Sequence, residues 1–122
     1  MAKKDFIKNF ENDYAEREFS PKVTLQQLTH MMSSRNKFYS WGVSKKTNLY
    51  SKGLLLTVNA NHHKGHVLIT LGWNDTYTIR FFNKQYNEVF ERQNDIYCDC
   101  LTNAIDSIIE WVPEYDDNTY FH

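Results

Sequence analysis

The chain has 122 residues, a formal net charge of −1 and 41% hydrophobic residues, which suits one globular domain with a single core. Aromatic residues make up 16% of the sequence and only four Gly and two Pro occur, which argues against a disordered or loop-dominated chain. No run approaches the roughly 18 apolar residues of a membrane span, and the charged N-terminus lacks the apolar region of a signal peptide.

Two helices are predicted at the N-terminus. Phe6, Phe10 and Tyr14 recur at every fourth position between charged residues, the pattern of an amphipathic helix. A second helix begins where Ser20 can cap it and Pro21 fits the first helical position. The apolar face of this second helix consists of Leu25, Leu28 and Met32.

A period of two replaces the helical spacing from Phe38 to about Gln93, which predicts an antiparallel sheet. The segments 37–44 and 87–93 are predicted as flanking strands of this sheet. Three strands between them carry alternating apolar residues: Leu54, Leu56 and Val58, then Val67, Ile69 and Leu71, then Tyr77, Ile79 and Phe81.

Loop lengths decide which residues pair across the two predicted hairpins. We expect a four-residue loop, 61–64, that pairs Ala60 with Gly65, and a three-residue loop that pairs Trp73 with Tyr77. Both loops place the three apolar sets on one face. Because side chains alternate along a strand, a two-residue turn in the second hairpin would put its apolar residues on the wrong face.

The last helix has the clearest pattern of the chain. Asn94 or Asp95 can cap it and Pro113 stops it. The stripe expected to lie across the apolar face of the sheet consists of Tyr97, Leu101, Ile105, Ile108 and Val112. The sequence therefore predicts one α+β domain over residues 1–113, with N-terminal helices, an antiparallel sheet of four to five strands and a C-terminal helix on one sheet face. Residues 114–122 are predicted to be a mobile tail.

The segment VNANHHKGHVLIT places His62, His63 and His66 around the first hairpin turn. A zinc site needs three or four ligands that converge at about 2.0–2.3 Å, and adjacent histidines rarely meet at one ion. No further ligand stands at a familiar metal spacing. We therefore favour a polar hairpin tip whose imidazoles bind loop backbone, and metal binding by these histidines stays the alternative.

No catalytic motif accompanies these residues. GxSxG, HExxH, P-loop and GxGxxG patterns are all absent from the sequence. Cys98 and Cys100 would lie about 200° apart around a helix, so we expect two reduced thiols, as is typical of the cytoplasm. Asp95 and Asp99 beside Cys98 make it a poor candidate for a nucleophile. The sequence predicts a cytoplasmic, non-enzymatic protein without a cofactor.

Charge is distributed unevenly along the chain. No acidic residue occurs between Glu18 and Asp75, so residues 19–74 carry +7 and the remainder carries −1 − 7 = −8. Lysines for phosphate, interleaved with aromatic rings for base stacking, are typical of nucleic-acid surfaces. The basic residues of this predicted nucleic-acid surface are Arg35, Lys37, Lys45, Lys46, Lys52 and Lys64, and its aromatic residues are Phe38, Tyr39, Trp41 and Tyr50. The alternative is that the aromatic residues are core and the lysines a solvated face.

The second face of the predicted sheet is half apolar. It consists of Leu55, Thr57, Leu68, Thr70, Thr78, Arg80 and Phe82. If the N-terminal helices leave this face open, it is a candidate surface for a protein partner, and if they cover it, it is core. The open sheet also has two edges, so a dimer could form through an edge strand.

Four motifs follow one another in residues 36–112: Asn36-Lys37-Phe38, Gly53-Leu54-Leu55-Leu56, ITLGWNDTYTIRF at 69–81 and IYCDCL at 96–101. In this order they resemble the N-x-F, G-L-x-[FL], ITL…DTY…F and [VI]Y-x-D-x-L motifs of small proteins encoded by phages and integrative elements of low-G+C bacteria. The N-terminal helix and the His-rich loop depart from that pattern. The resemblance carries over no catalytic or binding residue.

Small non-enzymatic proteins of such elements often bind and block host machinery, including CRISPR effectors. The resemblance therefore implies an accessory protein that binds a host protein stoichiometrically, for instance as an inhibitor of a defence nuclease. Nucleic-acid binding through the basic region 22–64 is the alternative function that the residues themselves suggest.

Overall fold

The computed structural model describes residues 3–110, and these form an α+β fold. The helices are α1 (Lys3–Asp13), α2 (Pro21–Thr29), α3 (Met32–Ser40) and α4 (Leu101–Ile109), the last preceded by a 3-10 helix (Cys98–Cys100). The strands are β1 (Lys45–Asn48), β2 (Leu54–Asn59), β3 (Lys64–Leu71), β4 (Tyr77–Asn83) and β5 (Gln93–Ile96). They lie in chain order in one antiparallel sheet. The predicted fold class is confirmed, whereas the predicted tail, 114–122, lies outside the described residues.

Helices cover both faces of the sheet. On one face the three predicted apolar sets share a core with side chains of α2, α3 and α4, among them Leu28, Phe38 and Ile105. On the other face α1 inserts Phe6 and Phe10 into a second, smaller core. The apolar alternation was therefore predicted on the correct face, and the sheet is buried on both sides.

The N-terminal helices begin as predicted but end earlier. The Ser20 hydroxyl accepts from the backbone N–H of Val23 at 3.4 Å, and Pro21 is the first residue of α2. The chain then becomes extended at Met31 and restarts as α3. Met32 was therefore wrongly placed on the apolar face of the second helix, because it begins α3 and is 73% exposed.

The register of the first hairpin differs from the predicted one by two residues. Gly65 pairs with Val58 rather than with Ala60. The reason is a tight turn, in which the N–H of Ala60 donates to the carbonyl of His63 at 2.9 Å and ends the strand at Asn59. A shift of two residues keeps every side chain on its face, so the predicted core survives the error.

The second hairpin shows the same kind of error. Tyr77 pairs with Leu71, whereas the predicted pairing with Trp73 was wrong. The loop closes one step earlier because the N–H of Gly72 donates to the carbonyl of Thr76 at 2.8 Å. The loop therefore has five residues instead of three, and Trp73 lies in it, exposed.

Both predicted flanking strands are wrong over most of their length. Segment 37–44 begins as the last turn of α3, because Phe38 and Trp41 are drawn into the core at helical spacing, and β1 starts only at Lys45. Segment 87–93 makes one isolated bridge, between Glu88 and Phe82, before β5 starts.

The last helix begins later than predicted. Asp95 does not cap it, because this residue belongs to β5, has φ +57° and accepts hydrogen bonds from the β3–β4 loop. Tyr97 is 64% exposed, so its assignment to the buried stripe was wrong, while Leu101 and Ile105 are buried as expected. Val112 and Pro113 lie outside the described residues.

The two sheet edges are short. Strands β1 and β5 have four residues each, and β1 carries Lys45 and Lys46, features that oppose pairing between edges of two copies. Dimerisation through an edge strand stays a prediction. Across residues 3–110, no helix is both long and apolar enough to cross a membrane.

Candidate nucleic-acid interface

The histidines of the first hairpin point in different directions. His63 is buried against Phe81 and Phe90, with ring centroids 6.1 and 5.4 Å away, and its Nε2 donates to the carbonyl of His66 at 3.0 Å. The ring of His66 lies on the opposite sheet face, stacked on Tyr86 at 4.3 Å. The His63 imidazole thus binds backbone as predicted, but the acceptor belongs to β3 rather than to the loop, and the ring is buried rather than solvated.

No metal site forms around these histidines in the part of the chain that the structure describes. Among residues 3–110, no three His, Cys, Asp or Glu side chains lie close enough together to hold an ion. His62 is exposed at the turn, where its backbone N–H donates to the carbonyl of Ile109 at 2.7 Å. The turn therefore fastens the hairpin to the end of α4.

We expect the protein to lose stability in mild acid because of these two buried rings. Burial lowers the pKa of both His63 and His66 below the ordinary 6.5. Below about pH 6.5 the unfolded chain therefore binds more protons than the folded chain, and the free energy of unfolding falls as pH falls. In urea unfolding between pH 7.5 and 5.5, His63→Phe should show a smaller decrease than the wild type. The exposed control His30→Gln should not, and an unchanged decrease in His63→Phe would contradict the assignment.

The predicted protein-binding face is covered by α1. Its residues Leu55, Leu68, Thr70, Arg80 and Phe82 are buried, and Thr57 is half-buried and hydrogen-bonded to His66. A partner could dock on this face only if the helices left it open. Because α1 covers it, the alternative, a covered face, is the correct one. This face is core.

Arg80 is an unusual member of that core. Its Nη1 donates to the Thr70 hydroxyl at 3.3 Å, and its guanidinium lies 5.1 Å from the ring centroid of Tyr14. Within residues 3–110 its Nε has no hydrogen-bond partner. Burial lowers the pKa of Arg80, and cation–π contact with Tyr14 offsets part of the desolvation.

The sheet divides the basic residues of the predicted nucleic-acid surface between its two faces. Lys45 pairs with Thr57 and shares the α1 face, as does Lys64 two residues before His66. Their neighbour Lys46 faces the other way, toward α2 and α3. One continuous surface therefore does not contain the whole set.

Two of the remaining basic residues have partners. Lys52 Nζ lies 3.8 Å from the carboxylate of Glu11, and Lys37 Nζ donates to Asn103 Oδ1 at 2.7 Å. These contacts engage both ammonium groups in the fold. Arg35 is different, because it is exposed. It lies on α3, the helix that packs on the same sheet face as Lys46.

A cleft of about 270 Å³ opens where α2, α3 and β1 meet, and we call it the basic cleft. It is lined by Lys22, Leu25, Gln26, Thr29, Phe38, Tyr39 and Lys46. Two lining residues are cationic and none is acidic. The Nε of Arg35 donates to the carbonyl of Thr29 at 3.5 Å, which places a third cation at the rim.

An exposed aromatic ring stands at this cleft. Tyr39, in the last turn of α3, is 68% exposed, and its ring centroid lies 6.0 Å from that of the buried Phe38. Trp41 is fully buried, with its Nε1 donating to Asp106 at 3.0 Å, and Tyr50 is exposed elsewhere. The predicted aromatic set is therefore divided: Phe38 and Tyr39 line the cleft with the lysines, and of these two only Tyr39 is exposed.

No family model matches the chain, and no curated protein or solved structure matches it. The chemistry of the cleft therefore rests on its own residues. Sequence reasoning omitted Lys22 from the predicted contacts. Lys22 and Gln26 are four residues apart on α2, a visible helical signal, but only the packing of α2 beside β1 brings Lys22 to Lys46.

A separate cavity of about 250 Å³ between α2 and the 3-10 helix brings His30 near Cys98 and Asp99. Within residues 3–110 no hydrogen bond joins Cys98 to His30, so the pair lacks the contact of a nucleophile with its base. Both cysteines are free and exposed, and the charge of Asp99 raises the pKa of the Cys100 thiol.

Proposed function

We propose that the protein is a non-enzymatic module that binds single-stranded nucleic acid through the basic cleft. The observation that carries the proposal is the meeting of Lys22, Lys46 and the exposed ring of Tyr39 in one acid-free depression. Lysine ammonium groups neutralise phosphates, and an exposed ring stacks on any base. Bases stacked inside a duplex hide their faces, so the exposed ring of Tyr39 favours an unstacked single strand.

The arrangement favours binding without strong sequence preference. Lysines contact the sugar-phosphate backbone, which is the same for every sequence, and no residue of the lining has the bidentate geometry of Arg for a guanine edge. Arg35 at the rim extends the positive surface beyond Thr29. A strand would therefore run along α3, with one base on Tyr39.

Titration of a fluorescent oligonucleotide of about ten nucleotides tests this proposal. Binding should be visible at about 50 mM salt, weaken steeply by 200 mM and prefer the single strand to its duplex. Tyr39→Ala should weaken binding, whereas Tyr50→Ala, which removes an exposed tyrosine outside the cleft, should not. No salt-dependent binding to DNA or RNA would overturn the proposal.

A host protein is the second candidate partner, because apolar side chains stand exposed at the junction of α2 and α3. Met31 and Met32 point into solvent there, with Val23 also exposed, and flexible methionines suit adaptable protein surfaces. If a host protein is the partner, the protein is an accessory protein of a phage or integrative element. It would bind a host factor such as a defence nuclease stoichiometrically and inhibit it. With either partner we propose that the protein acts in the cytoplasm, where Cys98 and Cys100 would stay reduced.

Capture from host lysate separates the two candidates. A protein partner should be recovered in stoichiometric amount after nuclease treatment and lost with Met31→Lys, since a charge there opposes an apolar contact. Recovery that depends on nucleic acid would instead favour the basic cleft.

A further inference from the structure

A polar cavity lies at the β5 edge of the sheet, the edge opposite β1 and the basic cleft. It has a volume of about 510 Å³ and opens between the chain after α1, the β3–β4 loop and β5. The side chains that give it its chemistry are Glu16, Trp73, Asn74, Thr78, Asn94 and Asp95. It is separate from the residues of the proposed function.

A largely buried threonine whose hydroxyl has no hydrogen-bond partner within residues 3–110 lines this cavity. Thr78 is 8% exposed and lines the cavity wall, and within residues 3–110 its hydroxyl makes no hydrogen bond. Its cross-strand neighbour Thr70 is satisfied by Arg80 instead. The Thr78 hydroxyl is not among the fully buried unpartnered atoms, so it is accessible from the cavity and free to bind a ligand or water there.

Two exposed carboxylates, neither in an ion pair within residues 3–110, line the same cavity. Glu16 Oε2 lies against the backbone of Gly72, 3.3 Å from where a Cβ on that glycine would be, so the absence of a side chain makes room for it. Asp95 Oδ1 accepts only neutral donors, Asn74 Nδ2 at 3.3 Å and Thr76 Oγ1 at 3.4 Å. Among the described residues neither Glu16 nor Asp95 pairs with a cation.

Among the described residues, two cations near the cavity, Arg17 and the buried Arg80, already have contacts of their own. Arg17 pairs with Asp75, and its guanidinium carbon lies 5.8 Å from the ring centroid of Trp73. Trp73 is itself 74% exposed at the cavity mouth. The lining therefore has a charge of −2, an excess of acceptors and an indole ring whose quadrupole attracts cations.

We propose that this cavity binds an alkylammonium group, which donates to Glu16, Asp95 and the Thr78 hydroxyl while its methylene chain lies on Trp73. Such a group has three donors, a positive charge and an apolar stem, and thus complements each part of the lining. A free polyamine and a lysine side chain of a peptide both present it. The site is distinct from the basic cleft, so it stands or falls separately from nucleic-acid binding.

Calorimetric titration with three probes tests the site: spermidine, a short acetylated peptide with one lysine, and the same peptide with the lysine acetylated. Binding of spermidine alone identifies a polyamine site, and binding of the lysine peptide identifies a peptide site, while the acetylated peptide should not bind. Equal binding of the two peptides, or binding of none of the probes, would overturn the proposal.

Matched variants locate the binding. Glu16→Gln and Thr78→Val should each weaken it about fivefold, since each removes one hydrogen-bond acceptor. Glu18→Gln removes the same charge from an exposed position outside the cavity and should leave affinity unchanged. Thr78→Val can also be checked by thermal unfolding. Because the Thr78 hydroxyl has no hydrogen-bond partner to lose, the variant should be at least as stable as the wild type. Equal loss in Glu16→Gln and Glu18→Gln would show attraction by net charge alone and sink the assignment.

Discussion

Reversing both charges of the basic cleft, with Lys22→Glu and Lys46→Glu together, should weaken binding of a single-stranded oligonucleotide about a hundredfold at low salt. Each lysine that no longer neutralises a phosphate removes one released counterion. The slope of log affinity against log salt should therefore shrink by about 1.4, roughly 0.7 for each contact with a single strand. Fluorescence anisotropy over a salt series measures both quantities.

The matched control is Lys45→Glu with Lys64→Glu. Both residues belong to the predicted nucleic-acid surface and are exposed, but they lie on the α1 face of the sheet. This pair changes the net charge by the same amount, so its affinity should fall far less and its salt slope should stay near that of the wild type. Equal losses in the two double variants would show that binding follows net charge and not the cleft.

The largest loss of stability is expected for Gly65→Ala. A Cβ at this position would lie 2.3 Å from the carbonyl oxygen of Phe82 and 3.0 Å from the Cα of Asn83. These are backbone atoms of the neighbouring strand, so the clash is relieved only by opening the β3–β4 pairing. Gly65 also pairs with Val58, and a shift of β3 would disturb β2 as well. We expect about 3 kcal/mol of lost unfolding free energy.

Gly72→Ala serves as the comparison. Its Cβ would lie 3.1 Å from Asn74 Oδ1 and 3.3 Å from Glu16 Oε2, both at the ends of side chains that can move. The cost should be about 1 kcal/mol. Urea unfolding of both variants measures the difference, and a Gly65→Ala protein as stable as Gly72→Ala would mean that the close approach of β3 and β4 at this point is wrong.

The burial of both sheet faces explains why substitutions in the central strands are expected to cost so much stability. Strand β3 contributes Val67 and Ile69 to the larger core and Leu68 to the smaller one. A central strand that is buried on both sides reads as a nearly continuous apolar run, and VLIT at 67–70 is such a run. The run therefore favoured the covered alternative for the second face, a signal that the sequence analysis, which left both alternatives open, did not use.

Local patterns were sufficient for α1, for the start of α2 and for the inward faces of the strands. Helix capping by Ser20 and the spacing of Phe6 and Phe10 act within one or two turns, so neighbouring residues determine them. The alternation of Leu54 and Leu56 likewise depends only on the pleat of one strand. The amino-acid order by itself thus determined an α+β fold, its main core and its acid-free basic stretch.

Only the tertiary structure decided the pairing and the surfaces. Alternation does not distinguish registers that differ by two residues, because both put the same side chains on the same face. The hydrogen bond from the backbone N–H of Ala60 to the carbonyl of His63 decides between them. Packing of α1 on one face and of α2 and α3 on the other then separated Lys45 from Lys46 and brought Lys22 to Tyr39. These contacts join residues far apart in the chain, and their choice depends on how much apolar area each helix can bury against the sheet, a quantity that no local pattern contains.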